Sequence, residues 1–176
     1  LDELRNSEVL NELKNLHVQG VEFIEPSDLS GAIKGRHNIY THLESMIKNA
    51  QKSVTIVTTA KGVLRKIEAL KPELEKLKKK GVKIRIATPI NKNNIQTINE
   101  VSKIADVKHA NKLDARFVVV DSKELMFMIL NDEEAHPTYD VGVWVNTPYF
   151  ASALEELFNN SWKDLKDASE VSKELA

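Results

Sequence analysis

The sequence predicts an α/β domain in which a mixed β-sheet is sandwiched between helices and preceded by an amphipathic helix. Two features of the pattern predict it. As far as Ile104, helical spacing of apolar residues alternates with short runs rich in β-branched residues, which is typical of right-handed crossovers between parallel strands. From Val107 onward, several strand-like runs follow one another without an intervening helix, which adds an antiparallel portion, and a helix closes the chain.

The composition is that of one ordinary globular domain, with 176 residues, 41% hydrophobic and 29% charged. A net charge of −1 gives no overall attraction to nucleic acid or anionic lipid, so any such contact must be local. Cysteine is absent, which excludes disulfides, thiol catalysis and cysteine-ligated metals. No apolar run approaches the ~18 residues of a membrane span, so we expect a cytoplasmic protein without membrane contact. The chain begins at Leu1, already in a helical pattern, and we expect it to start inside a longer protein.

The first 19 residues predict a connecting helix, and residues 20–176 the domain that follows it. Leu1–Leu16 is amphipathic with roughly helical apolar spacing, and its candidate dimerisation residues are Leu4, Val9, Leu13 and Leu16. This helix either lies on its own domain or forms part of a two-stranded coiled coil in a homodimer, and two heptads leave both alternatives open. Gly20 ends it, Val21–Ile24 is a candidate short strand, and Pro26–Gly31 is predicted to be a loop.

The middle of the chain predicts alternating helices and strands. A helix is marked by Ile39, Leu43, Ile47 and Ala50, and a strand follows over Ser53–Thr59. The next helix, from Val63 to Leu77, contains Pro72, where we expect a break or a restart. Val82–Ile86 is the following strand, and the next helix carries Ile95, Ile98, Val101 and Ile104.

The last third predicts strands and one helix. Val107 begins a short strand, and Val141, Val143 and Val145 alternate as the final one. Thr147-Pro148 supplies an N-cap and a first-turn proline to a helix that extends to Leu165. Asp167–Ala176 is expected to be a polar tail or the frayed end of that helix.

The central stretch is Asp114–Asp121, an apolar strand with polar side chains at both ends. Phe117–Val120 and Leu125–Leu130 are apolar runs separated by Asp121-Ser-Lys-Glu, which predicts two strands buried on both faces and joined by a tight turn. A strand-end salt bridge among Asp114, Arg116 and Asp121 is one interpretation of the polar residues.

The same stretch resembles the catalytic signature of the phospholipase D superfamily, His-x-Lys-x4-Asp. Asp114 stands at the histidine position, Arg116 at the lysine position, and only Asp121 matches outright. The superfamily also has Gly-Ser-x-Asn after the hairpin, of which Asn131 alone remains. The resemblance therefore implies a degenerate domain with no catalytic residues, since a carboxylate repels an anionic substrate and cannot serve as the imidazole nucleophile or acid.

Over roughly Ile24–Leu165 the chain also resembles archaeal TrmB-type transcriptional regulators in their phospholipase-D-like portion. The resemblance rests on the following segments in order: Ala32–Gly35, Met46–Ala50, Val54–Val57, Lys78–Ile86 and Phe158-x3-Trp162. It implies a homodimeric regulator that binds DNA through an N-terminal winged helix absent from this chain. It also implies that the degenerate domain dimerises or senses an effector.

The polar strand ends predict an effector site, because ligands favour strand ends in sheets of this type. We expect a small polar or anionic effector, and its candidate residues are Arg116, Asp114, Asp121, Asn131, Thr58 and Thr59. No cofactor is expected, and the five histidines show no metal-ligand spacing. A residual phosphodiesterase or nuclease and a ligand-free dimerisation module remain as alternatives. The basic run Lys78–Lys80, with Lys83 and Arg85, either contacts DNA phosphates or is a solvated helix end.

Overall fold

The computed structural model describes residues 2–20 and 26–176, apart from the side chains of residues 2, 4–6, 16–20 and 26. The helices are α1 (Asp2–Gly20), α2 (Pro26–Leu29), α3 (Arg36–Lys48), α4 (Ala60–Lys79), α5 (Ile95–Val101), α6 (Pro148–Trp162) and α7 (Ala168–Leu175). The strands are β1 (Ser30–Lys34), β2 (Ser53–Val57), β3 (Lys83–Thr88), β4 (Asp106–His109), β5 (Phe117–Val120), β6 (Glu124–Met128), β7 (Val141–Asn146) and β8 (Lys166–Asp167). The candidate strand Val21–Ile24 and the side chains of Leu4 and Leu16 lie outside the described part.

The eight strands form one mixed sheet in the order β1-β7-β6-β5-β2-β3-β4-β8. The strands β2, β3 and β4 are parallel, and each is linked to the next through a helix, whereas β5, β6, β7 and β1 add an antiparallel half. The predicted fold class is therefore confirmed. Because β5 runs antiparallel to β2, with Val57 opposite Phe117, the start of β5 lies beside the end of β2.

Helices cover both faces of the sheet. The larger core lies between the sheet and α3, α4, α5 and α7, with side chains such as Leu43, Leu74, Ile98 and Val171 packed on Ile56 and Ile86. On the other face, α6 packs through Phe158 and Ala151. None of the helices described here combines the length and apolar character needed to cross a membrane.

Several predicted boundaries are wrong, and one of them is the end of the closing helix, which lies at Trp162 rather than Leu165. The predicted loop Pro26–Gly31 is the helix α2 followed by β1, which pairs antiparallel with β7. The predicted polar tail contains β8 and α7, because Ala168 and Val171 are buried in the main core. The helix that begins at Ile95 ends at Val101 rather than Ile104. The second central strand ends at Met128, and Phe127 on it is 37% exposed, so this strand is not buried on both faces.

The expected break at Pro72 is also wrong, since α4 is continuous from Ala60 to Lys79. Proline removes one amide donor, but Pro72 is exposed, so water can reach the carbonyl left without that donor. Buried apolar residues on both sides, Ile67, Leu70, Leu74 and Leu77, hold the helix against the sheet.

Candidate functional site

A cavity of about 200 Å³ lies where the end of β2, the start of β5 and the end of β6 meet. Its lining residues are Thr59, Asp114, Ala115, Arg116, Met128, Ile129, Leu130 and Asn131. No histidine is among them. Because the cavity lies at the end of β2, it is at the carboxyl edge of the parallel strands, where sheets of this class bind ligands.

Arg116 forms the floor of this cavity and is 5% exposed. Its Nη1 donates to the Leu130 carbonyl at 2.9 Å and to Asp140 Oδ1 at 3.1 Å, and its Nη2 donates to Asp140 Oδ2 at 2.8 Å. Two parallel bonds of this kind fix the guanidinium plane. The Nε–H of Arg116 is buried and has no hydrogen-bond partner among the described residues.

Asp140 is fully buried between two arginines. Arg36 Nε donates to its Oδ2 at 3.1 Å, beside the bond from Arg116. Burial by itself raises the pKa of Asp140, but the hydrogen bonds and charges of Arg116 and then Arg36 outweigh burial and hold the pKa below its ordinary value. The Asp140 carboxylate is therefore already paired with arginines of the protein itself.

A second buried carboxylate, Asp132, lies in the same region. Its Oδ2 accepts from Thr59 Oγ1 at 2.7 Å and from Arg65 Nη2, while its Oδ1 is buried without a partner among the described residues. Burial raises the pKa of Asp132, but the Thr59 hydrogen bond and the charges of Arg116 and Arg65 lower it by more. Thr59 also caps α4, since its Oγ1 accepts from the Gly62 amide at 2.9 Å.

Lys66 is buried completely next to these groups. Its ammonium has one hydrogen bond, to Thr58 Oγ1 at 3.1 Å, and lies 5.6 Å from the centre of the Tyr40 ring. Burial, followed by the charges of Arg116 and Arg65, lowers the pKa of Lys66 from 10.5 to about 7. We call the set Arg36, Arg65, Lys66, Arg116, Asp132 and Asp140 the charge cluster. Its four cations face two carboxylates, so its net charge is +2 when Lys66 is protonated.

Gly62 lets the first turn of α4 approach the strand end closely. A Cβ built on Gly62 would lie 2.3 Å from Thr58 Oγ1, 2.8 Å from Thr59 Oγ1 and 3.4 Å from Asp132 Oδ2. Any larger residue would displace these oxygens. Thr58, whose Oγ1 accepts from Lys66, and Thr59, which lines the cavity, are consecutive residues at this strand end.

Most of the predicted site residues lie together, and one does not. Arg116, Asp114, Asn131 and Thr59 line the cavity, and Thr58 lies behind it. Asp121 lies at the far end of β5, where its carboxylate accepts from the backbone amides of Gln51, Lys52 and Ser53 at 2.7–3.2 Å. Its inclusion in the site is therefore wrong, because four strand residues separate it from Arg116. The strand-end salt bridge is wrong as well, since Arg116 pairs with Asp140.

Five residues of the charge cluster were not predicted from the sequence, namely Arg36, Arg65, Lys66, Asp132 and Asp140. One of them carried a signal in the sequence. Lys66 is three residues after Val63 and four before Leu70, so it lies on the apolar stripe of α4, where a lysine must be buried. The others are brought together by the fold, as Arg36 and Asp140 are 104 residues apart in the chain.

The arrangement of strands and cavity defines a phospholipase-D-like fold. Nuc from Salmonella typhimurium, a phospholipase D family member, superposes with a TM-score of 0.58 at 16% identity over 78% of this chain and 97% of Nuc. NucT from Helicobacter pylori gives a TM-score of 0.61 at 17% identity over 78% of this chain and 98% of NucT. At such identities the likeness shows the fold alone. No curated protein sequence is significantly similar to this chain.

The family follows from the sequence. The model of the family described as "Transcriptional regulator TrmB, EBD N-terminal subdomain" matches residues 31–169. The chain therefore belongs to the TrmB family of transcriptional regulators, and the predicted resemblances to this family and to phospholipase D are confirmed. TrmBL2, an archaeal chromatin protein, superposes with a TM-score of 0.61 at 18% identity over 94% of this chain. The chain spans 64% of TrmBL2, less than two thirds of its length.

Proposed function

We propose that this chain is a non-catalytic, effector-sensing domain of a homodimeric transcription regulator, and that a small anion bound at Arg116 is the effector. A separate part of the full protein binds DNA, in keeping with the family and with TrmBL2, which is described as a DNA-binding chromatin protein. The observation that carries the proposal is the buried excess of positive charge in the charge cluster directly beneath an open cavity. A buried charge without a partner is costly, so an entering anion is favoured.

The donors of the cavity suit an oxyanion. The Arg116 guanidinium is fixed by Asp140, so it loses little freedom on binding, and its buried Nε–H has no hydrogen-bond partner among the described residues. Thr59 and Asn131 add polar groups at the rim. The volume of about 200 Å³ fits a phosphate, a sulfate or a small carboxylate better than a macromolecule.

The same cavity is poorly suited to phosphodiester cleavage. The superfamily reaction uses imidazoles as nucleophile and acid, and the lining residues contain neither. Asp114 is exposed at the place where the signature has a histidine, so a carboxylate stands where the superfamily reaction has an imidazole. Arg116 can hold an anion, but the lining residues include no imidazole to take the phosphoryl group as the superfamily histidine does.

A screen of thermal stability tests the effector proposal. Sulfate, phosphate, small phosphate esters and dicarboxylates are added to the parent and to Arg116→Ala, and an anion that binds the folded state raises Tm as the logarithm of 1 + [L]/Kd. Arg85→Ala is the control, because it removes another buried arginine, paired with Glu155 on the other face of the sheet. We expect an anion that stabilises the parent and Arg85→Ala but not Arg116→Ala. An equal response in all three proteins would refute the placement.

Dimerisation through α1 is the second part of the proposal. Val9, Leu10 and Leu13 are 54–57% exposed, and Leu13 lies one turn after Val9 and Leu10 on this helix. Isolated helices are marginal in water and gain most of their stability from packing, so pairing with a second copy gives these side chains a partner. Light scattering should show a dimer for the parent and a monomer for Val9→Glu with Leu13→Glu. The control Asn11→Glu with Lys14→Glu should remain dimeric, and a parent that is monomeric at micromolar concentration would contradict the proposal.

A further inference from the structure

One end of the sheet carries a group of exposed lysines that the effector site does not use. The strands β2 and β3 begin there, side by side, with Ser53 paired to Lys83 and the Lys52 carbonyl accepting from the Lys83 amide at 3.0 Å. The helices α3 and α4 end at the same place, and Lys48 and Lys80 line one shallow depression between them. This end is opposite to the Arg116 cavity.

Two further lysines extend the same surface. The turn between β5 and β6 carries Lys123 and is joined to β2 by the bond from the Asp121 amide to the Ser53 carbonyl at 2.9 Å. Lys163, just after α6, lines a depression together with Ser53 and Lys83. We call the six residues Lys48, Lys52, Lys80, Lys83, Lys123 and Lys163 the basic end. All six are exposed, and none of their ammonium groups has an ion pair among the described residues.

The described carboxylates at this end form no ion pair with the six lysines, and Glu124, where β6 begins, accepts from Trp144 Nε1 at 2.9 Å. Asp121 is taken up by three backbone amides, and Glu155 is buried against Arg85. Asp106 and Asp164 are exposed at the margin, where β4 begins and after Lys163. Since the whole chain has a net charge of −1, the basic end is a local excess of positive charge on a nearly neutral protein.

We propose that the basic end binds the phosphate backbone of duplex DNA without sequence preference. Duplex DNA carries one charge per ~1.7 Å of axis, and lysines that neutralise phosphates release its counterions. The lysines span the ends of β6, β5, β2 and β3, which at ~4.8 Å between strands is a width of about 15 Å. That width is comparable with the ~12 Å major groove, so the lysines can reach phosphates on both of its sides.

An anionic membrane is the less suitable partner. Surfaces that dock on membranes combine basic residues with apolar side chains that enter the lipid. Two of the large exposed apolar side chains in the described part of the chain, Tyr149 and Phe150, lie at the margin near Lys123, since the Thr147 amide donates to the Lys123 carbonyl at 2.8 Å. None of these apolar side chains lines the depressions that contain Lys48, Lys80, Lys83 and Lys163. A second contact with the duplex would hold the regulatory domain against DNA that another part of the protein reads.

The test is the binding of the 176-residue chain to a fluorescein-labelled 20-base-pair duplex, followed by anisotropy between 25 and 200 mM salt. If about four phosphates are contacted, affinity falls about 100-fold between 50 and 200 mM salt. The variant Lys52→Gln, Lys80→Gln, Lys83→Gln should bind at least tenfold more weakly at 50 mM salt and show a log–log salt slope smaller by about 2.7.

The control has the same net charge and lacks three exposed lysines from the other end of the sheet: Lys61→Gln, Lys92→Gln, Lys112→Gln. It should bind within twofold of the parent. The proposal is overturned if the two triple variants weaken binding equally, or if the parent does not bind the duplex at 25 mM salt. Tighter binding to vesicles of one-quarter phosphatidylglycerol in phosphatidylcholine than to the duplex would also overturn it. The effector proposal is unaffected by any of these results, since Arg116 is unchanged throughout.

Discussion

Replacing Lys66 by methionine should stabilise the protein, because the lysine is buried in a site that already has excess positive charge. The ammonium is fully buried and its pKa falls from 10.5 to about 7. At about 1.36 kcal/mol per pH unit, keeping this group in the folded state costs roughly 5 kcal/mol at pH 7. Methionine has nearly the same length and no charge, and it gives up one hydrogen bond to Thr58, worth about 1 kcal/mol. We therefore expect Lys66→Met to be more stable by about 4 kcal/mol at pH 7.

The pH dependence of this effect has a definite sign. The unfolded lysine titrates near 10.5 and the folded one near 7, so between these values the unfolded state binds more protons. The contribution of Lys66 to stability therefore increases as pH rises from 7 to 10.5. Above that range the advantage of Lys66→Met should vanish, and below pH 7 it should be constant.

Urea unfolding at pH 6, 7, 8, 9 and 10 measures this directly for the parent and the variant. Lys61→Met, at an exposed position of the same helix α4, is the control and should match the parent at every pH. A Lys66→Met protein that is less stable than the parent at pH 7, or whose difference from the parent does not change between pH 7 and 10, would refute the reasoning.

Three other predictions concern anion binding, Asp140 and Asp121. Sulfate binding at pH 8 should be accompanied by the uptake of a fraction of a proton, because an anion near Arg116 stabilises protonated Lys66. Calorimetry in two buffers of different ionisation enthalpy measures this proton uptake. Equal heats of binding in the two buffers would contradict the prediction. Asp140→Asn should cost about 3–5 kcal/mol in urea unfolding at pH 7, since it leaves buried arginine charge without a partner. The pKa of Asp140 is lowered, so the deficit should shrink below pH 4 as the parent loses this contribution. Asp121→Ala should lower the free energy of unfolding by about 2–3 kcal/mol, because three backbone amides lose their acceptor. It should leave the affinity for sulfate unchanged. A tenfold weaker affinity would show that Asp121 belongs to the effector site.

The parts of the fold that local patterns determine were predictable from the sequence. The N-cap at Thr147 is one example, since its Oγ1 accepts from the Phe150 amide at 3.2 Å as the Thr-Pro pair implies. The central hairpin is another, although its turn places both Asp121 and Ser122 at a φ of 54°, a conformation that non-glycine residues rarely adopt. The periodicity of apolar residues was enough to predict the fold class, because it shows which face of each helix or strand is buried.

The elements that could not be predicted depend on contacts between residues that are far apart in the sequence. The strand β1 is a five-residue edge strand whose residues are mostly exposed, so it has no apolar pattern of its own and exists through pairing with β7. The helix α7 looked like a polar tail because only two of its residues, Ala168 and Val171, are buried. The site was found in part, since Arg116 follows from the degenerate signature. Its partners Asp140 and Arg36 come from other elements that only the fold brings together.

The central claim is that the cavity over Arg116 holds an anion and does not cut it. Phosphorus NMR of a small diester, methyl phenyl phosphate, tests both halves in one titration. We expect its resonance to broaden or shift with the parent and with Arg85→Ala, to remain sharp with Arg116→Ala, and to be chemically unchanged after a day. A resonance that responds equally to all three proteins, or a new signal of a cleaved phosphate with the parent, would contradict the account.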